Sequence, residues 1–333
     1  MNTELLQKLS CSVCIGHIGN AKEIAKAELQ KYADVSDFGQ TGLIAKINKG
    51  KSKTLLLDAH IDEVGFIVTG ILDGGFLRVA AVGGNDARIL PATPVTVHGK
   101  EAVTAVFGST PPHLSGGDKE VKALDELVLD TGRGDIENIV SVGDLVSYNT
   151  EFAALVGTKV SGKSLDDRAG VFCLIELAKR VYNKDLDCNL IIVLSEAEEL
   201  GTRGAVTAAF HCEADEAIAL DVSFGDAPDI SREKCGKLGG GAMIGISPVL
   251  SHAVTTRLTE IAKAKNIAHQ FEVMGGRTST DADVISVSKS GIPTGLLSIP
   301  LRNMHTPCEV IDTADLESVI TLLEEYVSGG GNQ

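Results

Sequence analysis

The sequence predicts an α/β domain interrupted by an all-β insert, and three observations carry that prediction. Apolar runs that read as buried strands alternate with amphipathic helical stretches in both outer parts of the chain. From about Gly65 to Val160 the pattern switches to short, valine-rich runs punctuated by glycine. Polar residues capable of chemistry recur where the outer strands end, and that edge of an α/β sheet is where ligands bind.

Residues 21–33 have the spacing of an amphipathic helix. Thr54–His60 is a short apolar run with a polar end, as a buried strand requires. Gly65–Ile71, Phe76–Val82, Pro94–Val97 and Ala102–Phe107 follow as short strands. Asp73-Gly74-Gly75 and Gly83-Gly84-Asn85 separate them, the texture of a small β-barrel. A Pro/Gly-rich loop covers residues 111–117, and further short strands run to Val160. Beyond Gly162, Arg168–Tyr182 places Val171, Phe172, Ile175, Ala178 and Val181 at helical spacing. Asn189–Leu194 and Ala217–Leu220 read as strands, His252–Ala264 as a helix and Thr294–Ile299 as a strand. Ala314–Val327 is the closing helix, and Gly329–Gln333 is expected to fray. The resulting division is a discontinuous main domain, 1–67 plus 161–333, around an insert at 68–160.

Composition removes several function classes. Across 333 residues, 30 Lys and Arg face 45 Asp and Glu, a net charge of −15, so no basic face for nucleic acid is expected. No apolar run approaches the ~20 residues that span a bilayer, and the N-terminus has no apolar signal segment, so no membrane partner is expected. Seven scattered cysteines suit a reducing, cytoplasmic setting better than a disulfide framework. Aromatic residues are only 4%, too few to build stacking platforms for sugars or bases.

His60 and Asp62 follow the first predicted strand. Glu196, Glu198 and Glu199 follow Asn189–Leu194. Asp221 ends Ala217–Leu220, and His305 lies beyond Thr294–Ile299. Asp166-Asp167 leads into the Arg168 helix. Two imidazoles and several carboxylates converging on one sheet edge make a site for zinc, cobalt or manganese.

These segments carry a family resemblance. Asp58-Ala59-His60-Ile61-Asp62-Glu63-Val64-Gly65, Leu165 through Gly170, Glu198 through Ala205, and Ala219-Leu220-Asp221-Val222 resemble the M42 family of dinuclear metallo-aminopeptidases. Gly291 through Gly295 and on to Met304-His305 matches as well. One departure is Ile15-Gly16-His17-Ile18-Gly19-Asn20, where members often carry a Pro-Gly-x-Ser-Gly-like turn. The resemblance implies a zinc-peptidase-like mixed sheet with helices on both faces and a PDZ-like barrel insert. It implies two divalent ions (Zn, Co or Mn), with Asp166 bridging them. His60 and Asp221 would complete one site, Glu199 and His305 the other. Glu198 would be the general acid/base, and Asp62 would orient His60. Adjacent residues on an extended segment point apart, which would let Glu199 hold metal while Glu198 faces substrate. The implied activity is release of N-terminal residues from short peptides by a water that the two metals activate. Homo-oligomerisation is implied too, as dimers building a dodecamer, and the insert is expected to mediate it. A cis bond between Asp166 and Asp167 is also implied, with capping of the next helix as the plainer role for Asp167. Two rivals remain at this point: an N-acyl amide hydrolase of the same fold, separable by substrate panel, and a silent scaffold, separable by metal analysis.

Other features read as incidental. Cys11-x-x-Cys14 has half a zinc-ribbon spacing but no second pair. Lys8, Lys22 and Lys26 read as solvated. Glu198-Glu199 is a poor glycosidase pair, because that chemistry sets its carboxyls ~5–9.5 Å apart across a sugar. Gly239-Gly240-Gly241 lacks the Lys-Ser/Thr of a phosphate loop. His113 reads as structural, and Arg302, three residues before His305, as a substrate contact.

Overall fold

The computed structural model describes residues 2–111, 113–114, 121–228 and 230–329. Most of the 111–117 loop falls outside the described residues; His113 is exposed in a turn.

The expected strand–helix alternation forms an 11-stranded mixed sheet. Four parallel strands make its centre, in the order Asn189–Ser195, Thr54–His60, Glu216–Phe224 and Thr294–Arg302. Gly42–Ile47 and Asp34–Asp37 extend one side antiparallel. Glu309–Asp312, Lys159–Gly162 and Ala153–Ala154 extend the other. Ala242–Ile246 branches from Thr294–Arg302 and pairs in parallel with His269–Val273. The central strands are apolar through most of their length, as in Leu55-Leu56-Leu57, because helices cover both faces.

Glu4–Cys11, Ala21–Leu29, Leu165–Val181, His252–Ala264 and Thr313–Val327 enclose the larger core. Arg203–His211 and Ala282–Ile285 cover the other face through Ala205, Ala209 and Ile285. Leu165–Val181 is buried nearly all round, because the sheet lies on one side and Thr313–Val327 and Glu4–Cys11 on the other. Burying Phe172 there contributes about 1.5–3 kcal/mol. Asp312 caps the last helix by accepting the Ala314 N–H at 3.0 Å. Two strands, Glu216–Phe224 and Thr294–Arg302, outrun the sequence reading. Asp221 and Ser223 on one strand and Pro300 on the other stay in the ladder beyond the expected ends.

The insert is a closed barrel of six strands, in the order Leu129–Asp130, Phe76–Val82, Gly65–Leu72, Leu145–Tyr148, Pro94–His98 and Ala102–Phe107. In Ala102–Phe107 buried and exposed residues alternate, as one inward face demands. Phe66, Val79, Val95, Phe107 and Tyr148 lie in a core of its own. The barrel strands occupy residues 65–148. The limits 68–160 therefore start inside the first barrel strand and take in Ala153–Ala154, which belongs to the large sheet. The chain leaves and returns through paired strands, Phe66 opposite Val146. Among the described residues, no helix is long and apolar enough to cross a membrane.

Candidate metal centre

The sheet topology gathers the polar strand ends. His60 closes the Thr54–His60 strand, in register with Ser195. Asp221 lies on the next strand, directly opposite Ser298. Glu199 follows Asn189–Ser195, and His305 follows Thr294–Arg302 with a positive φ of 59°. Asp166 opens the Leu165–Val181 helix with non-helical backbone, and its bond to Asp167 is cis.

Asp166 stands in the middle. Its Oδ1 lies 3.1 Å from His60 Nε2, and its Oδ2 lies 3.3 Å from His305 Nε2. His60 Nε2 is also 4.0 Å from Asp221 Oδ1, and His305 Nε2 is 3.3 Å from Glu199 Oε1. His60, Asp166 and Asp221 form one group with ligand atoms within 4.8 Å of one another; Asp166, Glu199 and His305 form a second. All five residues named from the sequence thus meet, with Asp166 common to both groups.

The electrostatics are those of a cation site. Burial opposes ionisation of Asp166, but His305 and His60 outweigh it and hold the carboxyl low. Burial likewise opposes a charge on His305, yet Asp166 and Glu199 push its pKa up to about 11. Burial raises Asp221 and Glu199, and neighbouring carboxylates add to the rise. Glu198 is pushed up to about 8 by burial, with Asp281, Glu199 and Asp166 contributing. Among the described residues, no Lys or Arg forms an ion pair with Asp166, Glu199 or Asp221. The donor set is imidazole nitrogen and carboxylate oxygen, and among the described residues its carboxylates have no Lys or Arg counter-charge. That combination fits divalent transition metals.

Asp62 is fully buried between the halves of this site. It accepts the Glu198 N–H at 2.9 Å and the Glu199 N–H at 3.2 Å, and its Oδ1 stands 3.5 Å from His60 Nδ1. Glu198 and Glu199 diverge because they sit in a turn, where the Glu198 carbonyl accepts the Gly201 and Thr202 N–H groups. An extended segment was expected there; the left-handed Ala197, φ 58°, bends the chain out of the strand.

Several contributors were not visible in the sequence. Buried Glu309 accepts the backbone N–H groups of Leu165, Asp166 and His305, at 2.6, 3.2 and 2.9 Å. The barrel turn Gly83-Gly84 packs directly on the site. A Cβ at Gly84 would stand 2.9 Å from His305 Nδ1, and one at Gly83 would stand 3.3 Å from Glu199 Cβ. Buried Glu63 takes Lys163 Nζ at 2.5 Å and the Cys14 N–H at 3.0 Å, with Arg168 Nη2 at 3.7 Å. A glycine or glutamate of this kind carries no local signal, since its role depends on what long-range topology brings to it.

Three lesser expectations change. Lys22 is not solvated; its Nζ pairs with the buried Glu196 at 3.0 Å, where His17 Nδ1 also stands at 3.1 Å. Arg302 does not line the cavity, because Asp226 engages its guanidinium at 2.7 Å. Cys11 is exposed and Cys14 buried, both as free thiols. The two ligand groups floor a cavity of about 440 Å³, walled further by Val222, Phe224, Glu272, Met274, Arg277 and Met304.

Comparison with known proteins agrees with this geometry. The family model described as M42 glutamyl aminopeptidase matches residues 41–322. The lysyl aminopeptidase of Pyrococcus furiosus is 30% identical over 330 residues, spanning 96% of this chain and 94% of that protein. An aminopeptidase from the archaeon Desulfurococcus kamchatkensis superposes with a TM-score of 0.91 at 29% identity, over 98% of this chain and 94% of its own. The TET1 peptidase of Pyrococcus horikoshii, described as able to assemble into a tetrahedron or a large octahedral shell, gives 0.84 at 33% identity over 97% and 98%. The mixed sheet, the strand-end histidines and carboxylates and these matches across nearly the full length have one reading: the chain belongs to the M42 family of aminopeptidases, hydrolases of the exopeptidase kind.

Proposed function

We propose that this aminopeptidase releases N-terminal residues from short peptides at a centre of two divalent cations held by His60, Asp166, Glu199, Asp221 and His305. The observation that carries the reading is Asp166, which offers one oxygen to each histidine, at 3.1 and 3.3 Å. When bound, two such ions supply Lewis acidity toward a water and toward the scissile carbonyl. Glu198 takes the water's proton and delivers it to the leaving amine. Its carboxyl lines the cavity beside the ligand groups, where it can hold that proton between the two steps. Asp62 grips the backbone of both glutamates and keeps Glu198 facing the cavity while Glu199 faces His305. Glu309 does the same for Asp166 and His305 by accepting their N–H groups.

Self-association through the barrel belongs to the same reading. Support comes from the separate core of the insert and from the assembly described for the Pyrococcus horikoshii relative. A reducing, cytoplasmic setting is supported by seven free cysteines. The test is metal analysis of the purified protein together with turnover of amino-acid p-nitroanilides and N-acyl amino acids. Two ions per chain and hydrolysis of only the free-amine substrates are expected; hydrolysis of only the acylated ones makes it a deacylase.

A further inference from the structure

Glu272 stands apart from the ligand set in the same cavity. It lies on the His269–Val273 strand, half-buried, and both of its oxygens are engaged by serine hydroxyls. Ser298 Oγ donates to Oε2 at 2.7 Å, and Ser223 Oγ donates to Oε1. Both serines are buried, and both sit beside a metal-site residue. Ser298 is directly opposite Asp221 in the parallel register, and Ser223 is two residues beyond Asp221 on the same strand face. The carboxylate is therefore fixed beside the proposed centre, displaced from Asp221 toward Ser298 and Ser223.

Two hydroxyls satisfy only part of a carboxylate, which has about four lone-pair sites. The remaining ones have no protein partner among the described residues. Among the described residues, no Lys or Arg side chain pairs with Glu272; Arg277, the one Lys or Arg lining the cavity, is exposed on the 274–280 loop. Val222, Phe224, Met274 and Met304 give the cavity apolar walls. Apolar walls around a clamped anion match one side-chain chemistry, a cationic head on an aliphatic stem.

We propose that Glu272 is the specificity-determining residue of this site and selects substrates whose N-terminal residue is lysine or arginine. The proposal rests on the aminopeptidase reading above. The substrate's α-amine and scissile carbonyl lie over the metal-site residues, its aliphatic stem lies along Met274 and Met304, and its charged head reaches Glu272.

The experiment compares kcat/KM for lysyl, arginyl, leucyl and glutamyl p-nitroanilides on the metal-loaded full chain and on Glu272→Gln. The wild-type protein is expected to favour the lysyl and arginyl substrates. In Glu272→Gln the lysyl-to-leucyl ratio should fall roughly 10–100-fold, the worth of one charge-assisted hydrogen bond. A wild-type preference for glutamyl or leucyl substrates overturns the assignment. So does an equal loss on all four, which would place Glu272 on the α-amine instead. Calorimetry of L-lysine against L-norleucine, which share a stem, reads the pocket without turnover. Tighter binding of lysine by roughly 10–100-fold is expected, and equal binding overturns the pocket. If no p-nitroanilide is cleaved, the aminopeptidase reading falls, while the calorimetry still decides the role of Glu272.

Discussion

His60 Nε2 and Asp166 Oδ1 stand 3.1 Å apart although 106 residues separate them in the chain. The same aspartate turns its other oxygen to His305 at 3.3 Å. No other side chain belongs to both ligand groups. Asp166→Ala should therefore cost both ions together and abolish turnover. Elemental analysis beside an activity assay checks this; a variant that keeps full activity would remove the two-ion mechanism.

Glu198 and Glu199 should separate cleanly. Glu198→Gln keeps volume and loses the base, so metal content should hold while kcat falls roughly 10²–10⁴-fold. Glu199→Gln should instead lower metal content, because Glu199 faces His305 at 3.3 Å. The opposite pattern would exchange the roles of the two neighbours.

Gly84→Ala tests the barrel's grip on the site. Its new Cβ would meet His305 Nδ1 at 2.9 Å, so the imidazole must move. Activity or metal affinity should drop roughly 10–100-fold, as for other groups that orient a ligand. Stability should change little, and circular dichroism melting would register any larger effect.

Glu63→Gln should destabilise the fold by about 3–5 kcal/mol, because it leaves Lys163 and Arg168 buried without their anion. Burial works against the charge on Glu63, but Lys163 and Arg168 hold its carboxyl below the ordinary range. The unfolded chain thus takes up a proton there before the folded one does. The stabilisation is fully present above the unfolded glutamate pKa, ~4.3, and is lost as pH falls below it. Urea melts of both proteins should show a steady gap from about pH 7 to 5 that narrows as pH drops below about 4.3. A gap that stays constant or widens below that pH contradicts the ion-pair account.

Replacing residues 66–147 with a short Gly/Ser linker should leave the sheet domain folded, since the barrel has its own core and its entry and exit strands are paired. Light scattering should show a large assembly for the full chain and a monomer for the shortened one. An unchanged mass would move self-association to another surface.

The sheet was legible because four of the proposed ligands lie at or beyond the ends of apolar runs, a local signal; Asp166 opens a helix instead, and it was the M42 resemblance that joined the five. Thr54–His60 shows the local signal directly, with its run ending on the ligand itself. The barrel was legible from its short valine-rich strands, but its end was blurred. Ala153–Ala154 and Lys159–Gly162 are as short as barrel strands, and only their partners place them in the large sheet. Gly42–Ile47 and Arg203–His211 were missed for lack of length and amphipathic contrast. Glu272, Glu309 and Lys22 could not be read, because a charged residue looks solvated until its distant partners, Ser298, His305 and Glu196, are in place.

The barrel is joined to the sheet by a narrow neck. Gly65 approaches its partner strand so closely that a Cβ there would stand 2.8 Å from the Val146 carbonyl oxygen. Such a neck makes the insert a cassette, removable or graftable through one strand pair without cutting the sheet. It also makes it a lever. The Gly83-Gly84 turn lies against Glu199 and His305, whereas His60 and Asp221 are anchored in their strands. A push on the barrel would therefore meet Glu199 and His305 first, and reach His60 only through the shared Asp166.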